Sequence, residues 1–150
     1  ITLTEQINLL KQANALEPKN FDTTYQLGEA LRARSWEGNP GYEKPAQEAM
    51  EWFKRGMKLN PHEAYNYLRY GMCLDWLERA KEAEPFFKRA NELDPNGYYQ
   101  VSMQGWHRAQ TGDFAAAKPW FQRSLRLKPG DNALATSYLQ IIEQREKEAR

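Results

Sequence analysis

Arg89-Ala-Asn-Glu-Leu-Asp-Pro95 is one of four related phrases that recur along this chain. Arg55-Gly-Met-Lys-Leu-Asn-Pro61 and Arg123-Ser-Leu-Arg-Leu-Lys-Pro129 place their prolines 34 residues before and after Pro95, and the proline of Gln12-Ala-Asn-Ala-Leu-Glu-Pro18 precedes Pro61 by 43 residues. The residue before a proline disfavours the α conformation, so each phrase predicts the end of a helix. A helix-ending signal with a 34-residue period predicts a stack of similar units, and therefore an all-α solenoid.

The residues between two such prolines indicate a pair of helices. In residues 64–97, apolar and small side chains follow helical spacing twice, with a break at 77–79. The first set is Tyr67, Tyr70, Gly71 and Leu74, and the second is Ala83, Phe86, Phe87, Ala90 and Leu93. Gly71 and Ala83 would let two antiparallel helices approach closely, and Phe87 would fill the space beside them. Such a hairpin cannot bury its apolar face alone and must stack on its neighbours.

This unit resembles the tetratricopeptide repeat (TPR). The family pattern of an aromatic residue, Leu-Gly, an apolar residue, Ala, an aromatic residue, Ala and Pro is represented by Tyr67, Tyr70-Gly71, Leu74, Ala83, Phe87, Ala90 and Pro95. The copy before it has Leu27-Gly28, Leu31, Ala49, Phe53, Gly56 and Pro61, and the copy after it has Val101, Gly105, Gly112, Ala117, Phe121, Ser124 and Pro129. The resemblance implies a right-handed superhelix of stacked helix-turn-helix hairpins, in which the first helix of each pair lines a concave face that binds ligands.

Two features depart from the simple repeat. Gln104 stands where the family has Leu before Gly105, and Arg108 replaces the apolar residue that follows, which predicts a polar seam in this hairpin. Pro85 and Pro119, 34 residues apart, fall inside the predicted second helices. They indicate either a matched bend, because proline removes a backbone donor, or helices that begin later than the pattern suggests.

We expect residues 1–150 to form a single domain. Its parts are the second helix of a truncated repeat (1–20), a repeat with a nine-residue insertion (21–63), two regular repeats (64–97 and 98–131) and a C-terminal capping helix (132–150). Because the chain begins with Ile1 and a half-repeat, we expect it to be a piece of a longer protein.

Composition limits the function classes. The 21 Lys and Arg residues nearly balance the 20 Asp and Glu residues, so the chain has no strong electrostatic field. This balance argues against nucleic acid as a partner. No stretch approaches the roughly 20 apolar residues that cross a bilayer. His62 and His107 lie in different repeats, and no Cys/His cluster has metal-ligand spacing. We therefore expect this chain to bind no metal or cofactor and to have no enzymatic activity. Cys73, the only cysteine, is expected to be a packed, inert thiol.

The insertion is the one place where the 34-residue stride is broken. It is predicted as a loop, Ser35-Trp-Glu-Gly-Asn-Pro-Gly-Tyr-Glu-Lys-Pro45, between a helix ending near Arg34 and a helix beginning near Pro45-Ala46. Trp36 and Tyr42 either fold back over the end of the hairpin or contact a ligand.

Binding is expected on the concave face, where the first helices turn side chains away from the core. The candidate groove residues are Tyr25, Glu29 and Arg32, then Tyr65, Leu68, Arg69, Met72, Asp75 and Trp76, then Tyr99, Ser102, Trp106 and Gln110. Tyrosine, tryptophan and arginine concentrate binding energy at protein interfaces. The set therefore favours a non-catalytic scaffold that binds a peptide or a partner helix. It lacks the Lys and Asn pattern with which some TPR domains clamp a peptide carboxylate, and a saccharide stacking on the aromatic rings is a lesser alternative.

A second resemblance concerns the parent protein. Tyr70-Gly-Met-Cys-Leu-Asp-Trp-Leu77, Gly105-Trp-His107 and the Trp36 loop are similar to TPR tails of bacterial O-antigen ligase or polymerase-type membrane proteins. That resemblance implies a soluble appendage, cytoplasmic or periplasmic, that organises glycan assembly while catalysis resides elsewhere. The oligomeric state does not follow from the sequence.

Overall fold

The computed structural model describes residues 1–150 as eight helices without strands. They are α1 (Leu3–Leu16), α2 (Phe21–Trp36), α3 (Glu43–Leu59), α4 (Ala64–Trp76), α5 (Ala80–Leu93), α6 (Tyr98–Gln110), α7 (Phe114–Leu127) and α8 (Ala133–Glu148). The most extensive contacts pair α2 with α3, α4 with α5 and α6 with α7. Each hairpin stacks on the next, and α2, α4 and α6 also touch one another, so they form one layer. The predicted all-α solenoid is confirmed.

A glycine and a phenylalanine hold each hairpin together. A Cβ at Gly28 would lie 2.6 Å from the Phe53 ring, and one at Gly71 would lie 2.8 Å from the Phe87 ring. The third hairpin repeats the arrangement with Gly105 and Phe121. The three phenylalanines are almost completely buried. The close approach predicted from the sequence therefore occurs, and it depends on the missing side chain rather than on backbone freedom.

The nine inserted residues are not all in a loop. Compared with α4, α5 and the turn between them, α2, α3 and their connection are each three residues longer. The prediction that Trp36 lies in the loop is wrong, because it is the last residue of an extended α2. Tyr42 does lie in the connection, immediately before α3.

The two internal prolines stand within their helices. Pro85 is in α5, which begins at Ala80, and Pro119 is in α7, which begins at Phe114. The alternative of a later helix start is wrong for both. The early starts follow from the residues at the turns, since the Asp113 side chain accepts from Ala116 N–H and Arg79 O accepts from Ala83 N–H.

We predict that Gly56→Ala destabilises the domain by about 1 to 3 kcal/mol, because the new Cβ would overlap the Asn66 side chain, which is only 2% exposed. The next repeat holds Ala90 and Gln100 at the same two positions. Its longer amide donates 2.6 Å to Asp94 O and leaves room for the methyl group.

Adding Asn66→Gln to Gly56→Ala should therefore recover most of the free energy of unfolding, as measured by urea denaturation. A single variant as stable as the parent, or a double variant no better than the single one, would contradict this packing.

Candidate functional site

Many of the candidate groove residues form one surface. The side chains of Tyr25, Glu29, Arg32, Trp36, Tyr65, Arg69, Trp76 and Tyr99 lie on or next to the layer formed by α2, α4 and α6, and we call this surface the first-helix face. Trp36 is exposed, and the other seven are half-buried. Gln110, at the end of α6, is exposed, and its side chain donates to Trp106 O.

Five candidates do not point away from the core, contrary to the prediction: Leu68, Met72, Asp75, Ser102 and Trp106 are buried. Leu68, Met72 and Trp106 belong to the hydrophobic core, since successive first helices pack against each other as well as against their partners. The Ser102 hydroxyl instead faces α7 and lies 2.6 Å from that of Ser124. Asp75 is directed toward His107 on α6.

Arg69 organises the tyrosine half of the first-helix face. Its guanidinium donates to the hydroxyls of Tyr99 (2.8 Å) and Tyr25 (3.3 Å), and its Nε lies 3.1 Å from Glu29 Oε1. The rings of Tyr65 and Tyr99 lie parallel, 6.2 Å apart, with the guanidinium beside both. Burial disfavours the charged form of Arg69. The attraction of Glu29 and of the tyrosine oxygens outweighs this effect, so the pKa of Arg69 is raised. This half of the surface is therefore a preorganised aromatic patch with a permanent positive charge.

Three tryptophans form the other half. Trp36 stacks on Trp76 and Trp106, with ring centroids 5.4 and 6.2 Å away, so three consecutive repeats contribute one indole each. Tyr42 meets the Trp76 ring edge-on, at 5.3 Å. Trp36 nevertheless keeps 42% of its surface exposed. The two aromatic residues of the insertion thus fold back onto the neighbouring repeats, and one of them still offers a free indole surface.

Ser35 fixes this cluster and was missed by the sequence reasoning. Its hydroxyl donates 2.6 Å to Tyr42 O and accepts from Trp76 Nε1 at 2.8 Å. Arg32 adds its guanidinium over Trp36, 5.3 Å from the ring. No pattern signals Ser35, because a serine near a helix end is more often a surface residue than a buried link between two repeats.

His107 is buried between two carboxylates. Its Nδ1 lies 2.6 Å from Asp75 Oδ2 and its Nε2 lies 2.8 Å from Glu84 Oε1, while its ring stacks on Phe87 at 4.2 Å. Burial disfavours the imidazolium, but the hydrogen bonds and charges of both carboxylates outweigh it and raise the pKa of His107. Both ring nitrogens face carboxylate oxygens, so this arrangement favours the protonated imidazole and links repeats two and three.

Gln104 and Arg108 form a polar seam, but it lies at the joint between α5 and α6 and not within the α6–α7 hairpin, where the sequence predicted it. Gln104 donates 2.8 Å to Phe87 O and also bonds Gln100, which in turn donates 3.2 Å to Asn91 Oδ1. Arg108 reaches Glu84 Oε1 at 2.8 Å. The seam therefore links two repeats by hydrogen bonds where apolar packing would be usual.

Cys73 lies in the core and is completely buried. Burial raises the pKa of its thiol to about 12, so the reactive thiolate is scarce at neutral pH. No three His, Cys, Asp or Glu side chains come together as a metal site would need. No helix combines the length and the apolar character that crossing a bilayer requires.

Comparison with known proteins supports the same architecture. Residues 64–96 and 105–131 match the family model described as tetratricopeptide repeat. The crystal structure of TTC0263, a thermophilic TPR protein of Thermus thermophilus, is similar with a TM-score of 0.83 at 20% identity, over 92% of this chain and 72% of that one. YrrB, a TPR protein with an unusual peptide-binding site, gives 0.72 at 21% identity, over 92% of this chain and 66% of that one.

The crystal structure of MamA is also similar, with a TM-score of 0.68 at 17% identity, over 98% of this chain and 90% of that one. At such identities the likeness establishes the fold. No sequence match to a curated protein accompanies these findings.

Proposed function

We propose that this chain, of which residues 64–96 and 105–131 match the tetratricopeptide-repeat model, is a non-catalytic binding scaffold whose first-helix face holds an extended peptide or a partner helix. The observation that carries the proposal is the Arg69 network, in which Tyr25, Tyr65 and Tyr99 are held in place before any ligand arrives. Ordering side chains on binding costs about 0.5–1.5 kcal/mol for each flexible group, so fixed aromatic rings bind more tightly than mobile ones.

The charges of the first-helix face specify the partner further. Arg32 and Arg69 share one carboxylate, Glu29, so the middle of the surface carries an excess positive charge among aromatic rings. A peptide with an aromatic or apolar anchor near an acidic side chain complements this arrangement. The solved structure of YrrB, described as having an unusual peptide-binding site, supports a peptide as the class of ligand on such a fold.

The test is selection of peptides from a random library on the immobilised chain, followed by fluorescence anisotropy with each enriched peptide. Tyr99→Ala should weaken binding about 30-fold, the effect of losing a central aromatic anchor worth about 2 kcal/mol. The matched control is Tyr98→Ala, because Tyr98 is also half-buried on α6 but pairs with Lys128 instead of Arg69.

Peptides that lose affinity equally in both variants would contradict binding on the first-helix face. So would peptides that bind the Tyr99→Ala and Trp76→Ala variants as tightly as the parent. Circular dichroism of each variant separates lost binding from lost folding.

A saccharide chain is the second candidate for this surface, favoured by the exposed indole of Trp36. It accords with the proposed role as an appendage of a glycan-assembly protein similar to the O-antigen ligases. Titration with neutral oligosaccharides, followed by NMR at the indole N–H groups of Trp76 and Trp106 beside Trp36, should then give saturable shifts that Trp36→Ala removes.

A further inference from the structure

The polar seam occupies positions that are apolar elsewhere in this chain. Counted from the glycine of each hairpin, Gln104 and Arg108 correspond to Leu27 and Leu31 of the first repeat. Both leucines are nearly fully buried, at 0% and 4% exposure. Burying an amide in place of a leucine is unfavourable unless all its polar atoms have partners. Folding alone therefore favours leucine at position 104 unless the amide gains partners that leucine lacks.

A cavity of about 450 Å³ opens at this joint, a size within the usual range for small-molecule sites. Helix α6 packs less closely on α5 than α4 does on α3, which leaves the space. The polar residues that line it are Glu84, Lys88, Asn91, Gln104 and Arg108, and the aromatic ones are Phe87 and Trp120. None of these residues belongs to the first-helix face, so the cavity is a separate feature.

Gln104 presents an unpaired acceptor to this cavity. It is 5% exposed, and its Nε2 is used by Phe87 O and by Gln100. Its Oε1 accepts no hydrogen bond from the protein, although Gln104 lines the cavity. The oxygen is not enclosed by the protein, so it stays accessible from the cavity. A ligand that fills the cavity can therefore donate a hydrogen bond to it.

The charges of the cavity favour a ligand that is not cationic. Glu84 is the only carboxylate among the walls, and Arg108 and His107 already share its Oε1 at 2.8 Å each. Lys88 pairs with no carboxylate, which leaves an excess positive charge. The donor to Gln104 is therefore a neutral group such as a hydroxyl rather than an ammonium group, and the unpaired charge of Lys88 favours an anion.

Trp120 provides the remaining contact. Its indole is half-buried at the edge of the cavity, on α7. The apolar face of a hydroxylated ring packs on such an indole while its hydroxyls turn to amides and charged groups. We propose that the α5–α6 cavity binds a hydroxylated ring bearing a carboxylate, which is the chemistry of a uronic acid.

The experiment uses the ¹⁵N-labelled chain and free glucuronic acid as the probe. Glucuronate should cause saturable shifts of the Trp120 indole N–H and of the Gln104 side-chain amide. Glucose, which lacks the anion, should bind about tenfold more weakly, because it loses the charge-assisted contact to Lys88. Acetate, which lacks the ring, should leave both signals unchanged.

Gln104→Leu restores the residue type of the first repeat and should weaken glucuronate binding about tenfold, while it also removes the hydrogen bonds to Phe87 O and Gln100. Trp120→Phe should also weaken binding. Phenylalanine is the residue at the equivalent position of the second repeat (Phe86), and Trp120 is only half-buried, so this substitution does not disturb the core. Trp52→Phe is the matched control, since Trp52 is the equivalent residue of the first repeat and should have no effect.

Trigalacturonate distinguishes the two possible sources of a uronic acid, a polysaccharide chain and a free sugar acid. Tighter binding of the trimer indicates a unit within a polysaccharide chain, and equal affinity indicates a free sugar acid. Absence of saturable shifts with glucuronate would overturn the proposal. Equal shifts with acetate or with a blocked Gly-Asp dipeptide, or binding unaffected by Gln104→Leu and Trp120→Phe, would do the same.

Discussion

Replacing Phe87 with alanine is expected to lower the free energy of unfolding by about 3 to 5 kcal/mol. Phe87 is 1% exposed, packs under Gly71 and stacks on the His107 ring. Its removal opens a cavity at the point where α4, α5 and α6 meet. The structure cannot close this cavity easily, because the hydrogen bond from Gln104 to Phe87 O holds the backbone of α5 in place.

Phe86→Ala is the control, since this neighbouring side chain is half-buried and packs mainly on Tyr70, with centroids 4.4 Å apart. Urea denaturation followed by circular dichroism should show a much smaller loss for it. Similar losses for the two variants would mean that Phe87 is not the centre of the core in this repeat.

The second large effect is expected for Asp75→Ala, which removes the buried partner of His107. Breaking a buried ion pair by removing one member costs about 3 to 5 kcal/mol, and we expect the lower end of that range at neutral pH because His107 can release its proton. Arg108 and Glu84 are the other charged groups facing this imidazole. Glu84→Ala removes the exposed partner instead and should cost less.

The pH dependence of this effect has a definite sign. The pKa of His107 is raised in the folded protein, so its contribution to stability is complete below the unfolded value, about 6.5, and is lost as the pH rises through the folded pKa. Burial raises the pKa of Asp75, so the stability linked to its protonated form is lost as the pH rises from about 3.9 through its folded pKa. The difference between the parent and Asp75→Ala should therefore be larger at pH 6 than at pH 9. A difference that grows with pH would contradict the charged His107.

The sequence predicts the fold well because its signals are local and repeated. Pro61, Pro95 and Pro129 mark helix ends by a steric effect that needs no tertiary context. Gly71 and Phe87 report a close contact because only a glycine leaves space for the ring. The same signals fail at the insertion, since nothing in Arg34-Ser-Trp36 distinguishes one more helical turn from the start of a loop.

The candidate site is harder to predict because its helices are buried on two sides. Helical spacing assigns Leu68 and Met72 to the stripe opposite the hairpin partner, yet that stripe contacts the first helix of the next repeat. The positions of Tyr65 and Tyr99 could be predicted, since both stand near a helix start on the outer part of the surface. The contact between Trp36 and Trp106 joins residues 70 positions apart and depends on the curvature of the whole stack.

The extra turn of α2 has a consequence for how a ligand is positioned. A regular array of repeats offers equivalent binding positions one repeat apart, so an elongated ligand can shift along the array with little change in binding free energy. Three added residues project α2 about 4.5 Å beyond its neighbours. They bring Trp36 against the second and third repeats only. This asymmetry makes the positions along the first-helix face unequal, so we expect it to set both the register and the direction of the peptide that we propose binds there.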